Sequence, residues 1–235
     1  MEFSVPMALV DFIPVILFLI TAVMLQRDLY YHMGKGVFAV FSTGTIMVVT
    51  AGTLKATWKL LYALGICDFH PLSACFFPLQ AIGFMLAGVA MIAMMISKGG
   101  AVEAENRMKA SVAVTLAAVL GALVVRGEMM TTTAAPVEYS GTMIFVVMMC
   151  LGIAALQGIL AYIGIKMKKW YIPVLCILAF VMMLGMGYLS SKNFEKASLN
   201  WIAEGVNVVG QGLFLLAVVL MHKAGLSTFP IKKAK

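Results

Sequence analysis

Apolar stretches and short polar breaks alternate along all 235 residues, and seven of the stretches are long enough to cross a bilayer. They cover about 7–26, 37–58, 75–97, 109–126, 142–165, 170–190 and 199–222. Most hold no charge over roughly 18 residues, the length that a helix rising ~1.5 Å per residue needs to traverse a hydrocarbon core about 30 Å thick. A helix satisfies its own backbone N–H and C=O groups in lipid, whereas a barrel would read as short alternating strands, so the pattern predicts a helix at every span. Trp58, Trp170 and Trp201 fall at span ends, where an amphipathic ring settles at headgroup level. The expected fold is an all-α integral membrane protein with seven transmembrane helices in one domain, 1–235.

Composition points the same way. A chain that is 63% hydrophobic and 11% charged has more apolar surface than one soluble core can bury. Met1-Glu2 lacks the basic stretch that precedes the apolar region of a secretory signal, so 7–26 reads as a retained helix. With the N-terminus outside, twelve of the 17 basic residues but only three of the ten acids fall on the cytoplasmic side. The positive-inside rule therefore predicts an outer N-terminus and a cytoplasmic C-terminus, in the plasma membrane. The net charge of +7 is spread over short loops and a tail as a topology signal, and no nucleic-acid partner is expected.

Spans one to three and five to seven enter from the same side, which allows parallel repeats over 1–98 and 140–225 joined by 109–126. Gly52-Thr53-Leu54 aligns with Gly187-Tyr188-Leu189, and Gln80-x-x-Gly83 with Asn207-x-x-Gly210. The seventh span has no lysine midway for a retinal Schiff base, and Pro78-Leu79-Gln80 has one residue too many for a Pro-Gln motif. The signatures of rhodopsin-like receptors and of PQ-loop carriers are thus both absent.

Polar residues inside the spans carry the candidate chemistry, because each costs several kcal/mol in lipid unless it is paired or wet. Asn200, Glu204, Asn207 and Gln211 stand at i, i+4, i+7 and i+11, one stripe of a helix about 16 Å long. Asp11 lies a turn into the first span, ahead of Pro14, whose missing N–H frees a carbonyl a turn earlier. Lys55 lies near the outer end of the second span with Lys59 and Tyr62 continuing its face, Gln80 opens the third, and Arg126 ends the fourth. Asp11, Lys55, Gln80, Glu204, Asn207 and Gln211 are the expected substrate-binding residues, converging on one outward-opening cavity. The alternative is structural: Asp11 pairs with Lys55, Lys59 and Arg126 snorkel to the headgroups, and the amides bond helix to helix.

Cys67 and Cys75 bracket an outer hairpin with Asp68 and His70 between them, and the outward location favours a disulfide, ahead of free thiols and then of a metal. No hydrolase elbow, zinc-hydrolase pair or phosphate loop is present, so neither an enzyme nor a cofactor is expected. The expected function is a carrier of a small molecule or ion, with Gly44, Gly52, Gly83, Gly185, Gly187 and Gly210 permitting helix rocking. A ligand-sensing or accessory subunit of a membrane complex, or a homo-oligomer, is the alternative.

Overall fold

The computed structural model describes residues 4–96, 138–190 and 197–231. The expected fourth span, 109–126, and Arg126 lie outside the described residues. Every regular element among the described residues is helical. Among the described residues, five helical spans are long and apolar enough to cross a membrane, and the chain is an α-helical protein of the multi-pass type.

The first span comprises α1, Val5–Val10, and α2, Phe12–Leu29, separated by a turn residue at Asp11. Pro14 supplies no N–H to Val10, so the ladder is interrupted next to Asp11 and the helix breaks there. The second span, α3, runs over Lys35–Ala63, 29 residues or about 43 Å of helix, longer than a bilayer core requires. Gly65 ends it in the left-handed conformation, φ 68°, donating to the Tyr62 carbonyl. A single turn, α4 (Pro71–Ala74), leads into α5 (Phe76–Ile96), where Pro78 is tolerated because first-turn N–H groups have no partner within the helix. Then come α6 (Glu138–Lys166), α7 (Tyr171–Ser190) and α8 (Ala197–Lys223).

These helices close into a ring in which α1–α2 pack on α3, α3 on α5, α5 on α6, α6 on α7, α7 on α8, and α8 back on α2. Two seams are built from backbone against backbone. A Cβ at Gly44 would lie 2.5 Å from the Gly83 carbonyl oxygen, and one at Gly152 would lie 2.5 Å from that of Phe84. Packing is the main attraction between helices in lipid, and small residues let it act at close range. Of the glycines flanking the polar stripe, only Gly210 sits at such a seam, against Met182; a side chain at Gly205 or Gly212 would meet open space.

The direction of each helix follows from its contacts. Within 5–63 and within 138–223, successive helices are antiparallel: Asp11 meets Lys59 while Gln26 bonds Thr45, and Gly210 meets Met182 while Gly185 faces Val206. Two seams are parallel. Ala81 clusters with Phe145 while Gly88 lies on Gly152, and Phe18 stacks on Phe214 while Asp28 bonds His222. Outward faces carry exposed Ile16, Val23, Ile46, Leu151, Ile177 and Leu216, as lipid contact demands.

Candidate functional site

One end of the ring, where α1, α5 and α8 begin, holds a cavity of about 100 Å³. A site of that volume accommodates several waters or a small solute, since one water needs about 10–15 Å³ on the same scale. Asp11, Lys55, Gln80, Glu204, Asn207 and Gln211 all border it, so four separate spans bring the six residues singled out from sequence to one place. Helical periodicity explains the contribution of α8, whose residues 204, 207 and 211 share a face. The break at Asp11 presents the first acid, and the length of α3 carries Lys55 and Lys59 beyond its glycine seam.

The electrostatic centre is a lysine that the sequence pattern assigns to the headgroups. Lys59 does not snorkel: it is only 6% exposed and forms ion pairs with both Asp11 and Glu204, the latter at 2.9 Å from Nζ to Oε1. Both acids are themselves 7% exposed. Lys59 was hidden from sequence reasoning because a lysine near a helix end reaches water in most contexts. Here α8 and the broken first span close over it.

Lys55 does not pair with Asp11 either. Its Nζ lies 4.0 Å from the centroid of Phe76 and 6.0 Å from that of Phe77, a cation–π contact at the start of α5. Among the described residues, no carboxylate lies within ion-pair distance of it. Two buried acceptors on cavity-lining side chains also lack a protein partner among the described residues: Oδ1 of Asp11 and Oε1 of Gln211. Among the described residues, the Gln211 amide donates to the Met183 sulfur, at 3.5 Å, a weak bond. Asn200, the outermost residue of the stripe, does not border the cavity.

Apolar packing closes the far side. Phe18 borders the cavity, stands edge-on to Phe84 at 5.6 Å and stacks on Phe214 at 6.5 Å. Beyond it, Leu25, Leu29, Met91, Leu160 and Met221 are fully buried. The cavity is therefore blind toward the end where α2 finishes.

That opposite end has a polar latch of its own. Asp28, 1% exposed, accepts a hydrogen bond at 2.9 Å from Nδ1 of His222 on α8. Gly225, at φ 85°, turns the chain back so that Leu226 is buried and its carbonyl meets Nε2 of His32 at 3.0 Å. Asp28 escaped notice in the sequence because the first span was expected to end near residue 26, which leaves position 28 in the headgroups; the helix runs on to Leu29.

Cys67 and Cys75 are exposed free thiols, not a disulfide. Asp68 accepts a 2.9 Å hydrogen bond from the Trp58 indole, which gives this carboxylate a role in fastening the hairpin to α3. Comparison with known proteins finds no matching family model, no matching curated protein and no matching solved structure.

Proposed function

We propose that this chain is a seven-helix plasma-membrane carrier of a small molecule or ion, with its N-terminus outside and its C-terminus in the cytoplasm. The observation that carries the reading is the blind polar cavity, bordered by residues of four spans and floored by Phe18. Binding sites of this kind lie between helices, and ionisable groups facing a cavity within a bundle mark substrate or ion pathways. Charge bias in the loops supports an outward-facing mouth.

The direction of the helices supports the count of seven. First and last spans run parallel, as an odd number of crossings requires, and the parallel packing of α5 on α6 puts Ile96 and Glu138 at opposite ends of the ring. Two antiparallel triplets joined by parallel seams are also the arrangement that parallel repeats over 1–98 and 140–225 would make. The sequence alignment pairs Gly52 with Gly187 and Gly83 with Gly210, which makes Gly44 the counterpart of Ala179. Gly83 packs on the Gly44 carbonyl, and Gly210 faces that of Ala179.

Reconstitution into liposomes tests the carrier reading, with flux measured for protons, alkali cations and a panel of small organic solutes. Flux above that of empty liposomes is expected for at least one of them. Glu204→Gln should lower that flux by at least about tenfold, equivalent to 1.4 kcal/mol. Unchanged flux in the variant removes Glu204 from the mechanism. A chain that moves nothing and retains a stoichiometric partner in mild detergent is an accessory subunit instead.

A further inference from the structure

The cavity's pattern of satisfied and unsatisfied groups specifies the charge of what enters it. This inference rests on the binding role proposed above for the cavity and deepens it.

Two acids and two lysines meet in and beside the site, so their formal charges cancel. Their distribution is uneven. Lys59 is shared by both carboxylates, while among the described residues the Lys55 ammonium lies against the faces of Phe76 and Phe77 and has no carboxylate within ion-pair distance. An aromatic face offers a cation part of what a carboxylate would, so Lys55 retains hydrogen-bonding capacity for an anionic group. Among the described residues, Oδ1 of Asp11 and Oε1 of Gln211 are acceptors without protein donors, on cavity-lining residues that are 7% and 8% exposed. An orphaned acceptor at that burial costs free energy until a donor reaches it. Donor-rich Lys55 and the two donor-poor acceptors border the same space, with Met183 and Phe18 supplying apolar wall.

A ligand with one charge satisfies one side of this arrangement and leaves net charge in a poorly solvated site. A ligand with an ammonium and a carboxylate satisfies both and leaves the balance at zero. We infer that the cavity binds a small zwitterion of the amino-acid type, its carboxylate on Lys55 and its ammonium on Asp11 Oδ1 and Gln211 Oε1.

Calorimetry on the purified chain in nanodiscs tests this without requiring transport. The probes are the neutral L-α-amino acids and 4-aminobutanoate, each set beside its two halves. For L-methionine the halves are 3-(methylthio)propan-1-amine and 4-(methylthio)butanoate; for 4-aminobutanoate they are propan-1-amine and butanoate. At least one zwitterion should bind about tenfold or more tightly than either of its halves. Lys55→Met should remove that advantage over the amine without weakening the amine itself, because the site then carries one excess negative charge, and Lys55→Arg should restore it. Gln211→Leu should weaken the zwitterion and the amine but not the acid. The inference is overturned if no zwitterion of the panel binds, if a half binds as well as the whole, or if Lys55→Met weakens amine and zwitterion alike. Binding without flux in liposomes would remove the carrier reading and keep the zwitterion. Flux of a singly charged ion with no zwitterion bound would do the reverse.

Discussion

Lys59 and Glu204 lie 145 positions apart in the chain and meet at 2.9 Å with both side chains buried, and Asp11 pairs with the same ammonium. The triad ties the first, second and last spans together beside the cavity. A buried charge left alone is far more costly than a buried pair, so the three side chains stand or fall as a unit.

Lys59→Met should therefore destabilise the protein by about 3–5 kcal/mol, because two buried carboxylates lose their direct ion-pair partner. Combining it with Asp11→Asn and Glu204→Gln should recover most of that loss. Thermal unfolding in detergent measures both, and an equally unstable triple variant would show that the charges are not what the site depends on.

Helix approach at the glycine seams gives a second, chemically independent expectation. Gly83→Ala places a methyl 2.7 Å from the Gly44 carbonyl oxygen and should cost about 1–3 kcal/mol or more. Gly158→Ala adds its methyl to open space on α6 and should be neutral or stabilising by up to about 1 kcal/mol. Melting temperatures of the two variants should move in opposite directions, or only the first should move.

The latch at the blind end predicts an effect far from the cavity. His222→Ala removes the donor to a carboxylate that is 1% exposed and should cost about 1.5–3 kcal/mol. Asp28→Asn keeps an acceptor oxygen and should cost less than Asp28→Ala. A ranking by thermal unfolding in which both Asp28 variants match wild type would remove the latch from the stability of the fold.

Orientation of the mouth is open to chemical labelling. Asn207→Cys, in a background where Cys67 and Cys75 are serine, should react with a membrane-impermeant maleimide added outside and not with the same reagent confined to the cytoplasmic side. The reverse pattern would invert the proposed topology. Labelling from neither side would show that Asn207 does not face the mouth of a hydrated cavity.

Local pattern made much of this molecule legible. The six described helical segments that fall on expected spans match their positions within about five residues at each end, because continuous apolar length needs no partner to be read and lipid enforces helix on it. The face shared by Glu204, Asn207 and Gln211 was equally readable, since helical period alone places them together. The interruption beside Asp11 has a local cause in Pro14, whose missing N–H frees a carbonyl, but the apolar pattern reads 7–26 as one span. Only the folded structure decided which charges meet. Lys55 and Lys59 share one face of α3 one turn apart, and nothing in their own sequence says that one lies against Phe76 and the other between two acids. Asp28 and His222 likewise became partners only through the parallel packing of the first and last helices. Periodicity fixes which way a side chain points relative to its own helix. Which partner it meets depends on how the helices are arranged around the ring, and that is set by the summed packing of seams such as Gly44 on Gly83, whose effect no single stretch of sequence contains.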